Sequence, residues 1–217
     1  MIIVDHRRNE IKQIHETKKQ FGAEIDLRNH GDNILVTHDP FITDAPSLEE
    51  WLTHFDHSFL IANVKEEGLE DRLLSILKKH NVENYFILDE SFPFIRKYAL
   101  KGISNFALRV SEFEDYRTAL ALAHSLKDVG QNVDWIWADS FTGEPLQPDT
   151  AKALRDVGFK ICAVSPELHH VAAPDTWEER VSLFQHKLQE PTFLASRPDM
   201  VCSKLVEKWE HWANINV

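Results

Sequence analysis

Two carboxylates stand two positions apart in the short segment GAEIDLR, where the surrounding residues are mostly apolar. Glu24 and Asp26 flank Ile25, and side chains two apart on a β-strand point to the same side. Like charges on one buried strand face repel, and burying them costs on the order of several kcal/mol unless a positive group lies between them. The segment therefore predicts that a cation or a basic side chain accompanies the two carboxylates.

Many of the other reactive side chains also follow short apolar runs. In chain order these groups are Asp5-His6-Arg7, Glu24 with Asp26, His38-Asp39, Asn63 with Lys65, Asp89-Glu90, Arg109, Asp139, Ser165 with Glu167, and Ser203-Lys204. The carboxyl ends of the strands in a parallel barrel meet at one rim, and active sites lie there. A purely structural barrel does not need a polar group at nearly every strand end, so the pattern indicates a functional site at the rim.

The strands themselves are predicted from eight apolar runs that alternate with amphipathic segments. The runs are 2–5, 23–27, 59–64, 85–88, 106–110, 133–138, 159–164 and 200–202, and helical patterns occupy 70–80, 94–100, 116–126, 149–157 and 177–189. Near-continuous apolar strands alternating with helices indicate a parallel sheet that is buried on both faces. Eight of them in 217 residues predict an α/β fold, a compact (β/α)8 TIM barrel, with a doubly wound open sheet as the alternative.

Some details of this barrel are also predicted. Residues 29–40 add a turn at 29–33 and a second extended run at 34–37. Trp135 and Trp137 lie on either side of Ile136 in one run, and we expect one of them to pack inward and the other outward. No linker or low-complexity segment interrupts the pattern, so a single domain over residues 1–217 is expected.

The composition excludes several classes of function. The net charge is −11, which disfavours binding to nucleic-acid phosphates or to an anionic membrane surface. No stretch approaches the roughly 20 apolar residues of a transmembrane segment, and MIIVDHRRNE lacks the apolar core of a secretory signal. Cys162 and Cys202 lie in apolar runs and are predicted to be buried thiols in a reducing compartment. We therefore expect a cytoplasmic protein that acts on a small molecule; the oligomeric state has no signal in the sequence.

Four short motifs follow one another along residues 3–68. They are His6-Arg7, GAEIDLR, ILVTHDP and NVK. This order resembles the glycerophosphodiester phosphodiesterase superfamily, which has the pattern H-R, E-x-D, H-D and E-x-K on a TIM barrel. Phosphatidylinositol-specific phospholipases C and spider-venom sphingomyelin phosphodiesterases are related members. RPDMVCSK near the end of the chain looks like the family's closing strand; elsewhere the resemblance is only architectural.

The resemblance implies a metal-assisted hydrolase that acts on a glycerophosphodiester-like or polyol-phosphate substrate. Glu24 and Asp26, with Asn63 in place of the family's third carboxylate, would hold a divalent cation such as Mg²⁺ or Ca²⁺ through oxygen atoms. That cation would be the positive partner of the carboxylate pair, and it would bind a non-bridging oxygen of the phosphate.

The resemblance also implies roles for four residues around the phosphate. His6 and His38 would be the general acid and base, because an imidazole exchanges protons near neutral pH. Arg7 and Lys65 would supply fixed positive charge to the phosphate. In the family the base often activates a hydroxyl of the substrate, giving a cyclic phosphate that water then opens.

Further rim residues have weaker assignments. Arg109, Asp139 and Glu167 are predicted to contact the substrate, with an ion pair between Arg109 and Asp139 as the structural alternative. The adjacent His169-His170 is predicted to lie on the surface, because it does not fit a zinc cage.

The motifs depart from the family pattern at three places. Asn63 brings no charge to a cation, so the alternative function is a catalytically weak or inactive barrel that binds phosphate esters. Arg8 replaces the glycine that usually follows H-R, and this extra cation would suit a second phosphate. The family's E-N-T stretch is absent, although Asn9 lies nearby. A third hypothesis is a lyase or isomerase that uses the same groups on a phosphosugar.

Overall fold

Strands alternate with helices through most of the computed structural model, which describes residues 1–169 and 173–216. The strands are β1 (Ile2–Asp5), β2 (Gly22–His30), β3 (Asn33–Val36), β4 (Leu60–Val64), β5 (Tyr85–Leu88), β6 (Ala107–Val110), β7 (Trp135–Ala138), β8 (Lys160–Val164) and β9 (Met200–Ser203). The helices are α1 (Ile11–Glu16), α2 (Leu48–Leu52), α3 (Glu70–Lys79), α4 (Phe92–Ala99), α5 (Tyr116–Lys127), α6 (Pro148–Asp156), α7 (Trp177–Gln189) and α8 (Val206–Asn216).

All the strands except β3 belong to one parallel barrel, in the order β5-β4-β2-β1-β9-β8-β7-β6. The predicted (β/α)8 TIM barrel is confirmed. Of the neighbouring strand pairs around the ring, β5 and β6 have the fewest paired residues. Ile87 and Phe106 form one isolated parallel bridge, and the Ile87 N–H donates to the Asn105 carbonyl at 2.8 Å.

The predicted strands and helices are found close to their expected bounds, with one correction in the second strand. Strand β2 does not turn at residue 29 but continues to His30, because its last residues pair antiparallel with β3 from Asn33 onwards. The turn is therefore only two residues long, and its Gly31 has a φ of 58°, a conformation that glycine adopts without strain. Helices α1, α2 and α8 were not predicted; the first two have six and five residues.

The barrel interior is filled by large apolar side chains. Phe86 contacts both Trp135 and Trp137, with ring centroids 5.5 and 6.4 Å apart, whereas Ile136 faces the helices. The expectation that the two tryptophans face opposite ways was wrong, because residues two apart on a strand share a side. Cys162 and Cys202 are buried in the same interior as free thiols, and burial raises the pKa of both.

Gly22 begins strand β2 at a point of close approach between backbones. A Cβ atom at this position would lie 2.7 Å from the Phe59 carbonyl oxygen and 2.9 Å from a methyl of Val4. The Ala23 N–H donates to that same carbonyl at 2.9 Å, so the absent side chain lets β2 lie against the start of β4. This packing sets the height of the two carboxylates that follow on β2.

None of the helices in the described ranges is both long enough and apolar enough to cross a membrane.

Candidate active site

The carboxyl end of the barrel collects the polar side chains predicted for the rim. These side chains lie on the strands or directly after them: His6 after β1, Glu24 and Asp26 on β2, Asn63 on β4 and Lys65 after it, Asp89 after β5, Arg109 on β6 and Asp139 after β7. These residues are linked by the contacts given below, and we call the opening that they surround the mouth. The chain thus places its reactive groups where TIM barrels carry their active sites.

Glu24 is almost fully enclosed at the mouth, with 1% of its surface exposed. Its Oε2 accepts the Arg7 backbone N–H at 2.8 Å, and its Oε1 accepts the Asn63 amide at 2.9 Å. Nε2 of His6 lies 3.7 Å from Oε2. Burial, followed by the negative charge of Asp26, raises the pKa of Glu24 to about 7. Without a cation, this carboxylate is therefore costly to keep charged.

Asp26, also 1% exposed, contacts the basic side chains that the sequence placed near it. Its Oδ1 lies 3.0 Å from the Lys65 ammonium, and its Oδ2 lies 3.5 Å from Nε of Arg7. Asn9 completes the set by donating to Oδ2 and by accepting the Asp26 backbone N–H, both at 2.9 Å. Part of the positive charge predicted beside the pair therefore comes from the chain itself.

Asn63 lies beside Glu24 with an oxygen atom that has no partner in the part of the chain that the structure describes. Its amide nitrogen donates to Glu24, while its Oδ1 is buried and has no hydrogen-bond donor in the described residues. Two carboxylates and an unpaired amide oxygen form the oxygen-only donor set that Mg²⁺ and Ca²⁺ prefer. The residues therefore fit a hard cation, although within residues 1–169 and 173–216 no group of three or more His, Cys, Asp or Glu side chains is arranged to hold a metal.

His6 is held in a mostly buried position beside Glu24. Its backbone N–H donates to the Ser203 carbonyl at 3.0 Å, and its Nδ1 is buried with no partner in the described part of the chain. Burial, with the nearby charges of Arg7 and Lys204, lowers the pKa of His6 to about 3. The next residue, Arg7, has a φ of 55°, an uncommon conformation outside glycine, in which its N–H reaches Glu24.

His38 lies at the edge of the mouth in a different environment. Its side chain is 42% exposed, and its Nδ1 lies 2.8 Å from Asp39 Oδ1. The chain is anchored just before it, because the Thr37 N–H donates to the Asp26 carbonyl at 2.9 Å. The structure thus brings His38 next to strand β2 but shows no direct contact between its ring and His6, Glu24 or Asp26.

A run of alternating charges continues around the mouth from Lys65. Lys65 lies 3.6 Å from Asp89, Asp89 pairs with Arg109, and Arg109 pairs with Asp139. Burial alone would lower the pKa of Arg109, but Asp89 and Asp139 outweigh it and raise that pKa. Arg109 and Asp139 form the ion pair that the sequence offered as the structural alternative to substrate contact. This ion pair lies on the rim.

His169 was expected on the surface, and this expectation was wrong. Its side chain is largely enclosed, its Nε2 lies 2.6 Å from Asp139 Oδ1, and its ring is 4.6 Å from that of Phe141. The approach to Asp139 lacks hydrogen-bond alignment. His170 lies outside the described residues.

Two other residues do not take the positions expected of substrate contacts. Glu167 is 2% exposed, and its Oε1 accepts the Ser203 hydroxyl at 2.5 Å and the Lys204 N–H at 2.9 Å. It therefore ties the loop after β8 to the end of β9 and presents no surface to a substrate. Arg8 pairs with Asp5, so its charge is already engaged and is not the free cation expected for a second phosphate.

A second pair of buried carboxyl groups lies behind Asp89. Glu90 Oε1 accepts the Ser91 N–H at 3.0 Å, and Glu70 accepts the Gly68 N–H at 2.7 Å. Both side chains are buried. Burial and then the proximity of Glu70 raise the pKa of Glu90 to about 8, so the pair holds a proton at neutral pH.

We expect Glu90→Gln to stabilise the protein at pH 9 by roughly 1–3 kcal/mol and to change stability little near pH 4.5. Because the folded-state pKa of Glu90 is raised, its stabilising proton is fully held below the unfolded pKa and is lost as pH rises through about 8. Urea unfolding at the two pH values measures the difference. The exposed Glu83→Gln is the matched control, and an equal destabilisation by Glu90→Gln at both pH values would contradict the assignment.

Comparison with known proteins adds information about the fold. No protein-family model and no curated protein sequence matches the chain. Among solved structures, a protein provisionally named glycerophosphoryl diester phosphodiesterase from Agrobacterium tumefaciens str. C58 is similar with a TM-score of 0.68. It is 11% identical, and the match covers 99% of this chain and 98% of that one. A glycerophosphoryl diester phosphodiesterase from Parabacteroides distasonis ATCC 8503 gives a TM-score of 0.66 at 13% identity, over 100% of this chain and 87% of that one.

At this low identity the two matches show a shared barrel fold over nearly the whole chain.

Proposed function

We propose that the protein is a metal-assisted phosphodiester hydrolase that acts on a glycerophosphodiester-like or polyol-phosphate substrate. One observation carries the proposal: a buried carboxylate pair, Glu24 and Asp26, contacts an imidazole and two basic side chains at the carboxyl end of the barrel. The likeness in fold to two proteins named as phosphodiesterases supports the same reaction class.

The phosphate is proposed to bind between the carboxylate pair and the basic side chains. Glu24, Asp26 and the unpaired Oδ1 of Asn63 would hold Mg²⁺ or Ca²⁺. When bound, that ion supplies a Lewis acid for a non-bridging phosphate oxygen. Lys65 and Arg7 bind the remaining phosphate oxygens, and their ion pairs with Asp26 already hold them at the mouth.

Proton transfer is assigned to the two histidines. His6 is buried beside Glu24 and takes the proton of the attacking hydroxyl, which belongs to the substrate or to water, as that oxygen bonds to phosphorus. His38, whose Nδ1 is engaged by Asp39, gives a proton from Nε2 to the leaving alcohol as its P–O bond breaks. Each step moves one proton, and a second round in the reverse sense opens a cyclic phosphate with water.

The test is hydrolysis of glycerophosphocholine and of bis-p-nitrophenyl phosphate by the full chain, with Mg²⁺, with Ca²⁺ and with EDTA. We expect product with at least one ion and its loss in EDTA. Absence of product under every condition, together with measurable binding of glycerol phosphate by calorimetry, would replace hydrolysis by the alternative below.

The alternative function is a barrel that binds phosphate esters without hydrolysing them. It is favoured by the way the chain satisfies its own carboxylates: the Asn63 amide donates to Glu24, and the Lys65 ammonium lies 3.0 Å from Asp26. A pair neutralised in this way has less need of a cation. In the hydrolase, Asn63 would bind the cation through Oδ1; in the binding barrel, it would only donate its amide hydrogen bond to Glu24.

We expect Asn63→Asp to raise the affinity for Ca²⁺ about tenfold or more, because a third carboxylate adds charge to the donor set. In EDTA the same substitution should lower stability, since a third negative charge is buried beside Glu24. Calorimetric titration and thermal unfolding measure the two effects, with the exposed Asn214→Asp on α8 as control. Unchanged Ca²⁺ affinity would place the cation elsewhere.

A further inference from the structure

A cavity of about 470 Å³ lies between the loops that follow β6 and β7. Its apolar walls include Val110, Phe113, Tyr116, Pro145 and Leu146. It also reaches Asp139, whose carboxylate belongs to the charged run of the mouth. We call it the side cavity; through Asp139 it shares a lining residue with the charged run of the mouth.

Phe113 forms the outer wall of the side cavity and is 80% exposed. A tight turn presents its ring: the Phe113 N–H donates to Ser111 Oγ at 3.1 Å, and Ser111 Oγ donates to Glu114 at 2.9 Å. Its ring lies 5.2 Å from that of Phe141. On the other side, Phe113 borders a second cavity of about 440 Å³ that reaches Asp89 and Arg109. Aromatic surface held out in this way at a cavity edge marks a contact site for apolar groups.

The acidic residues that also line the side cavity are already engaged. Glu112 accepts the Phe141 N–H at 3.1 Å and the Thr142 hydroxyl at 2.7 Å, which holds the loop after β7 in place. The others are paired as Asp115 with Arg117, Glu144 with Lys187, and Asp139 with Arg109. Because every one of these carboxylates has a partner within the chain, the apolar walls are the part of the cavity that remains free to contact a ligand.

We propose that the side cavity binds an alkyl chain carried by the substrate's alcohol, so that the substrate is an amphiphilic phosphodiester with a single apolar chain. This inference rests on the proposed function, because it places the phosphate in the mouth. Continuity between the side cavity and Asp139 favours a chain attached to the phosphate over an unconnected partner. Phe113 and Leu146 are then the residues that determine specificity for the length of the chain.

The probe is a series of n-alkyl phosphates with two to eight carbons, titrated calorimetrically into the full chain below their micelle concentrations. Each added methylene should raise the affinity about two- to fourfold until the side cavity is full. Phe113→Ser should flatten this increase, and Leu146→Ser, a second apolar lining residue, should do so independently. The control is Leu183→Ser on α7, which removes an apolar side chain that is 64% exposed outside the side cavity.

The possible outcomes separate this inference from the proposed function. Affinity that rises with chain length and depends on Phe113, in a protein that hydrolyses no diester, supports the side cavity and rejects hydrolysis. Hydrolysis of glycerophosphodiesters with affinity independent of chain length overturns the side cavity alone. A dependence on chain length that survives both serine variants also overturns it, as does a wild-type dimer that Phe113→Ser separates.

Discussion

His6→Ala and His38→Ala should each lower kcat/KM for glycerophosphocholine by at least about 100-fold, because a general acid or base usually contributes that much to the rate. The two losses should differ in kind, because the two rings lie in different environments. His6 is mostly buried beside Glu24, whereas His38 is partly exposed and is oriented by Asp39. A general base is needed for any leaving group, but a general acid is needed only when the leaving alcohol is weakly acidic.

Bis-p-nitrophenyl phosphate separates the two roles, since p-nitrophenolate leaves without a proton. We expect the defect of His38→Ala to become much smaller with this substrate and the defect of His6→Ala to persist. His124→Ala on α5 is the control, because His124 is an exposed histidine on an outer helix. Near wild-type rates in both active-site variants would remove both histidines from the mechanism.

Neutralising either carboxylate of the pair should lower activity, but the two substitutions should differ in their effect on the stability of the metal-free protein. Glu24→Gln and Asp26→Asn should each lower kcat/KM at least about 100-fold, because each removes a charged ligand of the proposed cation. In EDTA, Glu24→Gln should be at least as stable as the wild type, since it relieves repulsion between two buried like charges. Asp26→Asn should cost about 1–3 kcal/mol, because Lys65 and Arg7 lose a charged partner.

Thermal unfolding in EDTA and kinetic assays with Mg²⁺ or Ca²⁺ measure these two quantities on the same preparations. Glu49→Gln, an exposed carboxylate paired with Lys79 on the helical layer, is the control for loss of an ordinary ion pair. A fall in stability that accompanies the fall in activity in both active-site variants would make the pair structural rather than catalytic.

The barrel could be predicted because its strands are buried on both faces. Runs such as 59–64 and 133–138 are almost wholly apolar, and their alternation with helical patterns leaves few other folds. The two shortest helices were missed because α1 and α2 span fewer than two full turns, too few for a period of 3.6 to be recognised. The length of β2 was underestimated because its last residues, Asn29 and His30, are polar and pair only with the incoming strand β3.

The parts of the candidate site that depend on residues close together in the sequence could be predicted. The parts where residues from separate loops come into contact could not. Glu24 and Asp26 share a strand face, so their proximity follows from the two-residue period. Asn9 forms two hydrogen bonds with Asp26, although the family's E-N-T stretch is missing from the sequence. The only signal for this contact in the sequence was the position of Asn9 two residues after Arg7. The enclosure of His169 depends on Phe141, which comes from another loop. Glu167 was misplaced because a short 3-10 helix, Pro166–Leu168, turns it toward β9.

The short ladder between β5 and β6 has a consequence for how the two sides of the mouth respond to differently shaped substrates. Separating two strands costs less where fewer backbone hydrogen bonds join them, so local opening of the ring begins between Ile87 and Phe106. The cavity that borders Phe113 on the side of Asp89 and Arg109 lies against this seam. Strands β1, β2 and β4, which carry His6, Glu24, Asp26 and Asn63, are joined by longer ladders away from it. If the proposed function holds, extra bulk in the alcohol would be accommodated by widening the seam, while the atoms around phosphorus would keep their spacing.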